Sequence, residues 1–239
     1  MTADQITVAA RFNGPLDSGN GGYSAGLVAA LADGPATVSL RSPVPLDRPL
    51  EVVRDGDGPD GPIRAMDGET LVMEARRTAE LDLEPPRTVS VAEAREAAGR
   101  YPGLEEGPFS RCFVCGRVRD DSLGVFAGRV GDGDGDIVAS PWTPPPWAAG
   151  PDGSVPPELV AAVLDCPTYF ALYDDPETLS FLAAMQVRQD APVEPGAEHV
   201  VIAWPIEKDG RKHHAGAAVV TADNRTAAVA RVLLIAAAG

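Results

Sequence analysis

Positive charge is in short supply in this chain: 20 Lys and Arg stand against 35 Asp and Glu, for a net charge of −15. A general nucleic-acid binder needs a basic footprint to displace counterions, so that class is excluded. Cysteine is scarce too, and three residues in 239 fit a reduced compartment rather than a disulfide scaffold. No apolar run is long enough to span a bilayer; the longest, 229–238, is strand-sized and interrupted by Arg231. The N-terminus, Met1-Thr2-Ala3-Asp4-Gln5, has no basic region leading into an apolar core. The expectation is a cytoplasmic protein with no membrane partner. The excess acid sits in Gly-rich stretches such as 55–58 and 131–136, which read as solvated hairpin ends. A calcium loop would need a regular ligand spacing ending in a bidentate carboxylate, and neither stretch has one.

What the chain does have is a repeat. Leu27-Val28-Ala29-Ala30-Leu31-Ala32-Asp33 recurs as Leu159-Val160-Ala161-Ala162-Val163-Leu164-Asp165. A Gly-containing turn precedes each copy, Asn20-Gly21-Gly22 and Asp152-Gly153-Ser154. A strand-like run ending in Arg and a Pro-containing turn follows each, through Arg41 and Arg188. The helical copies are 132 residues apart and the strand copies 147. A solenoid needs several short repeats stacked in a row, so this pattern implies two copies of one α+β unit packed as an internal dimer.

Hydrophobic periodicity and turn residues place the elements. Strands are expected at 7–12, 36–41, 50–54, 63–66 and 71–78, with a helix over 23–32 closed by Gly34-Pro35. In the last of these strands Leu71 and Met73 alternate with Val72 and Glu74. Residues 79–108 change character, with Pro85-Pro86 leading into a short helix over 91–101. Strands are expected at 124–130 and 137–140, and a second helix starts near Pro156 or Pro157 and runs past Asp165. Pro167 should kink or interrupt it. Strands at 179–188, 200–207, 211–222 and 226–236 finish the chain. The domain reading is an N-terminal unit at 1–80, a linker with a short helix at 81–108, and a C-terminal unit at 109–239.

The loop and helix Asn20-Gly21-Gly22-Tyr23-Ser24-Ala25-Gly26-Leu27, the second helix ending in Leu164-Asp165, and the final hairpin over 216–230 together resemble the hotdog-fold thioesterase family. Cys112-Phe113-Val114-Cys115-Gly116 is similar to the entry segment of its single-domain members. The resemblance implies an α+β fold, a tandem (double) hotdog in which each half wraps a curved antiparallel sheet around a central helix. It also implies an acyl-CoA thioesterase acting on a small-to-medium acyl group. The alternatives are a non-catalytic acyl-CoA or acyl-carrier binding protein, or a hydratase or dehydratase of the same fold. No cofactor or metal is implied, and the fused pair is either a monomer or a homodimer.

In this family, the resemblance implies, backbone N–H groups at the start of the central helix bind the thioester carbonyl, where the helix dipole favours developing negative charge. Gly21 and Gly22 match that position in the first half, with Tyr23 beside them, and Gly153 and Ser154 match it in the second. Asp165 matches the catalytic carboxylate, and Asp33 is its repeat partner. Gly21 and Gly22 of one half would then serve a site completed by Asp165 of the other, while the reciprocal site, Gly153 with Asp33, would be degenerate. Asn20 stands where a His-Gly-Gly version would carry its His. The last strand lacks the Gln that the thioesterase II type uses there.

Other candidates are read from chemistry alone. A carboxylate on a helix as apolar as 159–165 must find a partner or stay neutral, and with the pattern that the family resemblance implies this favours a general-base role for Asp165 over a simple cap. Cys112 and Cys115 have zinc-type spacing, but Cys166, His199, His213 and His214 lie on different elements, so buried small apolar residues are the expectation. His213 and His214, adjacent on a strand, should face opposite sides. Arg211 and Lys212, with Lys208, form the best cluster for CoA phosphates, and Arg41 and Arg188 could add to it. Trp142, Trp147, Tyr169, Phe170 and Tyr173 are candidates to line an acyl pocket.

Overall fold

The computed structural model of the protein describes residues 5–54, 61–103, 106–107, 109–131, 136–174 and 178–237. The acidic stretch at 55–58 and most of that at 131–136 fall outside the described residues.

Eleven antiparallel strands form one sheet in the order β1-β3-β4-β5-β2-β8-β11-β10-β9-β7-β6. The first half contributes β1 (Gln5–Thr7), β2 (Ala36–Leu40), β3 (Pro49–Arg54), β4 (Ile63–Asp67) and β5 (Thr70–Arg77), with helix α1 (Gly21–Ala29) between β1 and β2. Helix α2 (Val91–Ala98) follows. The second half contributes β6 (Gly128–Arg129), β7 (Val138–Trp142), helix α3 (Pro157–Leu172), β8 (Ser180–Gln189), β9 (His199–Asp209), β10 (Lys212–Thr221) and β11 (Thr226–Ala236).

The seam between the halves is the pair β2–β8, in which Val38 faces Met185, flanked by Thr37 against Gln186 and Ser39 against Ala184. Val38 and Met185 are 147 residues apart, the spacing of the strand repeat. Outward from this seam the order runs β5, β4, β3, β1 on one side and β11, β10, β9, β7 on the other, where the two-residue β6 adds one more edge strand.

Helices α1 and α3 lie side by side and antiparallel on one face of the sheet. Gly22 meets Ala161 and Asp165, and Gly26 meets Glu158 and Ala161. Glycine is required here by close approach: a Cβ on Gly22 would lie 2.5 Å from the Ala161 carbonyl oxygen, and one on Gly26 would lie 2.5 Å from the Glu158 Cα. The Gly26–Glu158 contact joins residues 132 apart, the spacing of the helix repeat.

The stretch read as a linker has a second task. Ser90 and Glu93 form a reciprocal capping box that starts α2. Ala94 and Ala97 then pack with Leu81, Val89, Ile202, Trp204 and Val220 in a core of their own, separate from the main one. The Arg188 guanidinium holds this segment down through the carbonyls of Leu81 and Leu83 and the Glu84 carboxylate. That covering explains why β9 and β10 are apolar on successive residues rather than on alternate ones. It also removes Arg188 from the candidate CoA-binding cations, since its remaining bonds go to Asp190.

Three local expectations need correction. The run 7–12 is not one strand: β1 ends at Thr7 and a single 3-10 turn covers Ala10–Phe12. Only Gly128–Arg129 of the run 124–130 pairs as a strand. Pro167 does not interrupt α3, which continues to Leu172. Twelve of its sixteen residues are buried, and Thr168 Oγ1 donates to the Asp165 carbonyl at 2.6 Å, so packing outweighs the one amide bond that proline removes. Both faces of β5 are buried around Val72–Ala75, with the Glu74 carboxylate closed off by Arg64 and Arg76.

The helix contact yields a direct test. Gly26→Ala places a methyl against α3 backbone that no rotamer change can relieve, so it should cost about 1–3 kcal/mol in urea unfolding. An unchanged midpoint would show that the helices are not held at this separation.

Candidate functional site

The family resemblance implies that Asp165 meets the start of α1, and the structure brings the two together. Gly22 N–H donates to Asp165 Oδ2 at 2.9 Å, across 143 residues of chain. Asp165 is 9% exposed. Burial pushes its carboxyl up to about 7, with the Gly22 N–H opposing and negative charge at Cys112 adding to the rise. A carboxyl so placed changes charge near neutrality, the range suited to a general base.

Asn20 is the N-cap of α1. Its Oδ1 accepts from Tyr23 N–H at 2.9 Å, satisfying one of the first-turn amides that a helix leaves open. Gly21 N–H finds no acceptor among the described residues. The position a Cβ on Gly21 would occupy is 3.3 Å from Asp165 Oδ2, so Gly21 lies next to the carboxylate. Leu182 of β8 packs against the same point. The Tyr23 side chain, in contrast, is committed to packing. Its ring stacks on Phe12 at 4.1 Å and meets Phe113 edge-on, and burial pushes its hydroxyl up to about 12.

The second half does not reproduce this arrangement. Gly153 and Ser154 are not at a helix start: they lie in a turn in which Gly153 N–H reaches the Gly150 carbonyl and Ser154 is bound through N–H and Oγ to Asp152. The helix begins later, at Pro157 after Pro156, and proline has no N–H to offer a ligand. Asp33 is exposed in the bend beyond α1. A groove of about 310 Å³ nevertheless opens at this end of the helix pair. Gly26, Ala29 and Ala161 line it beside Met185 and Leu81, and Gly26 and Ala161 are each one helical turn from the Gly22–Asp165 contact.

The remaining candidates divide. Tyr169 is one turn after Asp165 on α3, its hydroxyl bonded to the Thr178 carbonyl at 2.7 Å and its ring near Phe109 and Tyr173. Tyr173 hydroxyl bonds His213 Nδ1 at 2.7 Å. Lys208 Nζ caps the C-terminal carbonyl of α3 at Leu172, a suitable place for a cation. Arg211 and Lys212 are exposed at the β9–β10 turn, with Arg211 Nε bonded to the Ala236 carbonyl. Trp142 and Phe170 are core, and Trp147 is exposed beneath the Arg11 guanidinium.

One grouping was missed. Cys166 does not lie apart from the Cys112–Cys115 pair: the three Sγ atoms are within 4.8 Å of one another, and Cys112 and Cys166 are 3.6 Å apart. Donation from the Cys115 and Cys166 thiols holds Cys112 well below its ordinary value, and the same bonds push those two up. Asn20 Nδ2 faces Cys166 at 3.7 Å and Cys112 at 3.9 Å. His199, His213 and His214 are not part of the group.

No protein-family model and no curated protein matches the chain. Solved structures do. A conserved protein of unknown function with a hot dog fold from Alicyclobacillus acidocaldarius superposes with a TM-score of 0.62 at 13% identity, covering 98% of this chain and 93% of that one. The dehydratase domain of a mycocerosic acid synthase-like polyketide synthase gives 0.61 at 15% identity, over 98% and 90%. The tesB protein of Mycobacterium avium subsp. paratuberculosis gives 0.55 at 14% identity, over 90% and 85%. The fold is therefore the hot dog fold, with a large antiparallel sheet and few helices. No helix among the described residues is long and apolar enough to cross a membrane.

The buried carboxyl makes a signed prediction about stability. Its folded value, about 7, is above the usual 3.8. As pH rises between these values the unfolded chain releases a proton that the folded chain keeps, so Asp165 costs increasing stability up to about pH 7. Asp165→Asn, which can still accept the Gly22 N–H, escapes this penalty. With reductant and chelator present, its urea midpoint should gain on wild type by the equivalent of roughly 2–3 kcal/mol between pH 5 and pH 8. A pH-independent gap would mean that Asp165 is ionised throughout.

Proposed function

We propose that the chain is a tandem hotdog, with units at 1–80 and 109–239 joined by the segment 81–108, and that it hydrolyses an acyl-CoA or similar thioester. The duplication is supported by the mirrored strand order about the β2–β8 seam and by the two repeat spacings, which recur at the Gly26–Glu158 and Val38–Met185 contacts. The observation that carries the activity is the juxtaposition of the open Gly21 N–H with the Asp165 carboxylate, which Gly22 N–H fixes from the other half.

The chemistry follows from that pairing. The thioester carbonyl docks on Gly21 N–H at the positive end of α1, where negative charge developing on the oxygen is stabilised. Asp165 takes a proton from water as the water adds to the carbonyl carbon. The C–S bond then breaks, and the proton passes to the departing sulfur, leaving a carboxylic acid and a free thiol. Asn20 holds the first turn in place by capping Tyr23 N–H. The groove beside Gly26 and Ala161, about 310 Å³, is at the small end of ligand pockets and suits an acyl group of small-to-medium size. Arg211 and Lys212, exposed at the β9–β10 turn, are the residues offered for CoA phosphates. A single working site is the expectation, because Pro156-Pro157 leaves the reciprocal helix start without comparable donors.

Thiol release from a panel of short- and medium-chain acyl-CoA esters tests the reading. Asp165→Asn should lower kcat by at least about 100-fold while ester binding persists. Wild-type turnover in that variant would remove Asp165 from the chemistry. Binding of esters without release by the wild-type protein would turn the reading into an acyl-CoA-binding one. The dehydratase alternative has less support, because among the described residues no histidine hydrogen-bonds to Asn20, Gly21, Gly22 or Asp165.

A further inference from the structure

The three thiols are the largest feature near α1 that hydrolysis leaves unused. Their surroundings have the form of a ligand set. Cys112 and Cys115 are on one tight turn, closed by Gly116 N–H donating to the Cys112 carbonyl at 2.9 Å. A Cβ on Gly116 would fall 2.6 Å from both the nitrogen and the carbonyl oxygen of Cys112, so only glycine permits the turn. Val114 N–H points at Cys112 Sγ from within it at 3.5 Å. Asn20 Nδ2–H approaches Cys112 and Cys166 from outside. Amide donors aimed at sulfur favour thiolates, and thiolates are what metals bind.

The spacing agrees. Tetrahedral zinc with Zn–S bonds of about 2.3 Å sets its sulfurs about 3.8 Å apart. Cys112 and Cys166 already stand at 3.6 Å, and the third sulfur is within 4.8 Å of both. Closing the set requires movement on the order of 1 Å. Three sulfurs this close together can all ionise only beside a cation, and among the described residues no Lys or Arg hydrogen-bonds to any of them.

We propose that Cys112, Cys115 and Cys166 bind a thiophilic divalent cation, zinc in the cell, tying the turn at 112–116 to the middle of α3. Asn20 Oδ1 is committed to Tyr23 N–H, so its amide donates to sulfur and the fourth metal position is left to solvent. Cys112 and Cys115 are buried and Cys166 is partly exposed, which gives the ion its way in. The site is independent of the hydrolase reading and stands or falls separately.

Reduced, metal-free full-length protein titrated with cobalt(II) alone tests it. The expected result is one equivalent bound, with near-ultraviolet thiolate-to-cobalt charge-transfer absorption that zinc abolishes by displacement. Cys115→Ser and Cys166→Ser should each weaken uptake by at least about tenfold. Zinc should raise the thermal midpoint of wild type and leave that of folded Cys166→Ala unchanged, a comparison that holds even if Cys115→Ser fails to fold. No charge-transfer band in folded wild type, or wild-type affinity in Cys166→Ala, overturns the assignment.

Discussion

The structure depends on how closely α1 and α3 approach. Gly22 and Gly26 have no side chains, so the backbone of α1 rests directly on that of α3 at Ala161 and Glu158. Only at that separation can a first-turn amide of one helix reach a carboxylate on the other. The same contact keeps the carboxylate dry, and dryness sets its protonation behaviour. A methyl at either glycine would part the helices, loosen the Gly22–Asp165 bond and let water reach the carboxyl. Fold geometry and candidate chemistry are thus two consequences of one steric fact.

The two ends of the helix pair are built differently although the packing between them is near-symmetric. At the α1 start, Asn20 caps Tyr23 N–H and leaves Gly21 N–H open beside Asp165. At the α3 start, Pro156 and Pro157 begin the helix without donors of their own, and the glycine-containing turn before them closes on itself through Asp152. The repeat in sequence is strongest in the helix interior, where both halves need small apolar residues to pack. It is weakest at the helix starts, where a ligand would bind. Packing constrains the interiors equally, whereas nothing in the helix contact requires the same donors at both starts.

That division also explains what was legible in the sequence. Periodicity and turn residues report local structure, so they placed the two helices, while the pairing of Gly22 with Asp165 came from the family resemblance that those segments carry. Pro167 was misread because local propensity says break, while burial on a wrapped sheet says continue. Gly153 and Ser154 were matched to a helix start through the repeat alignment alone, although the prolines that follow already set that start at Pro156 or Pro157, where the structure has it. The linker's covering task and the capture of Leu81 by Arg188 depend on contacts about a hundred residues apart. So does the arrival of Cys166 beside Cys112, and no spacing rule encodes it.

Asp165 and Cys166 then show how one helix serves two neighbours. Successive residues on an α-helix point about 100° apart, so α3 presents a carboxylate to α1 and a thiol to the 112–116 turn from adjacent positions. Asn20 closes the arrangement, with its oxygen on the first turn of α1 and its amide on the sulfurs. The entry turn, the α1 start and the middle of α3 are therefore fixed relative to one another through a single side chain. A histidine at position 20 would offer one ring in place of an oxygen acceptor and an amide donor on the same group. Asparagine provides both at the distances these three elements leave between them.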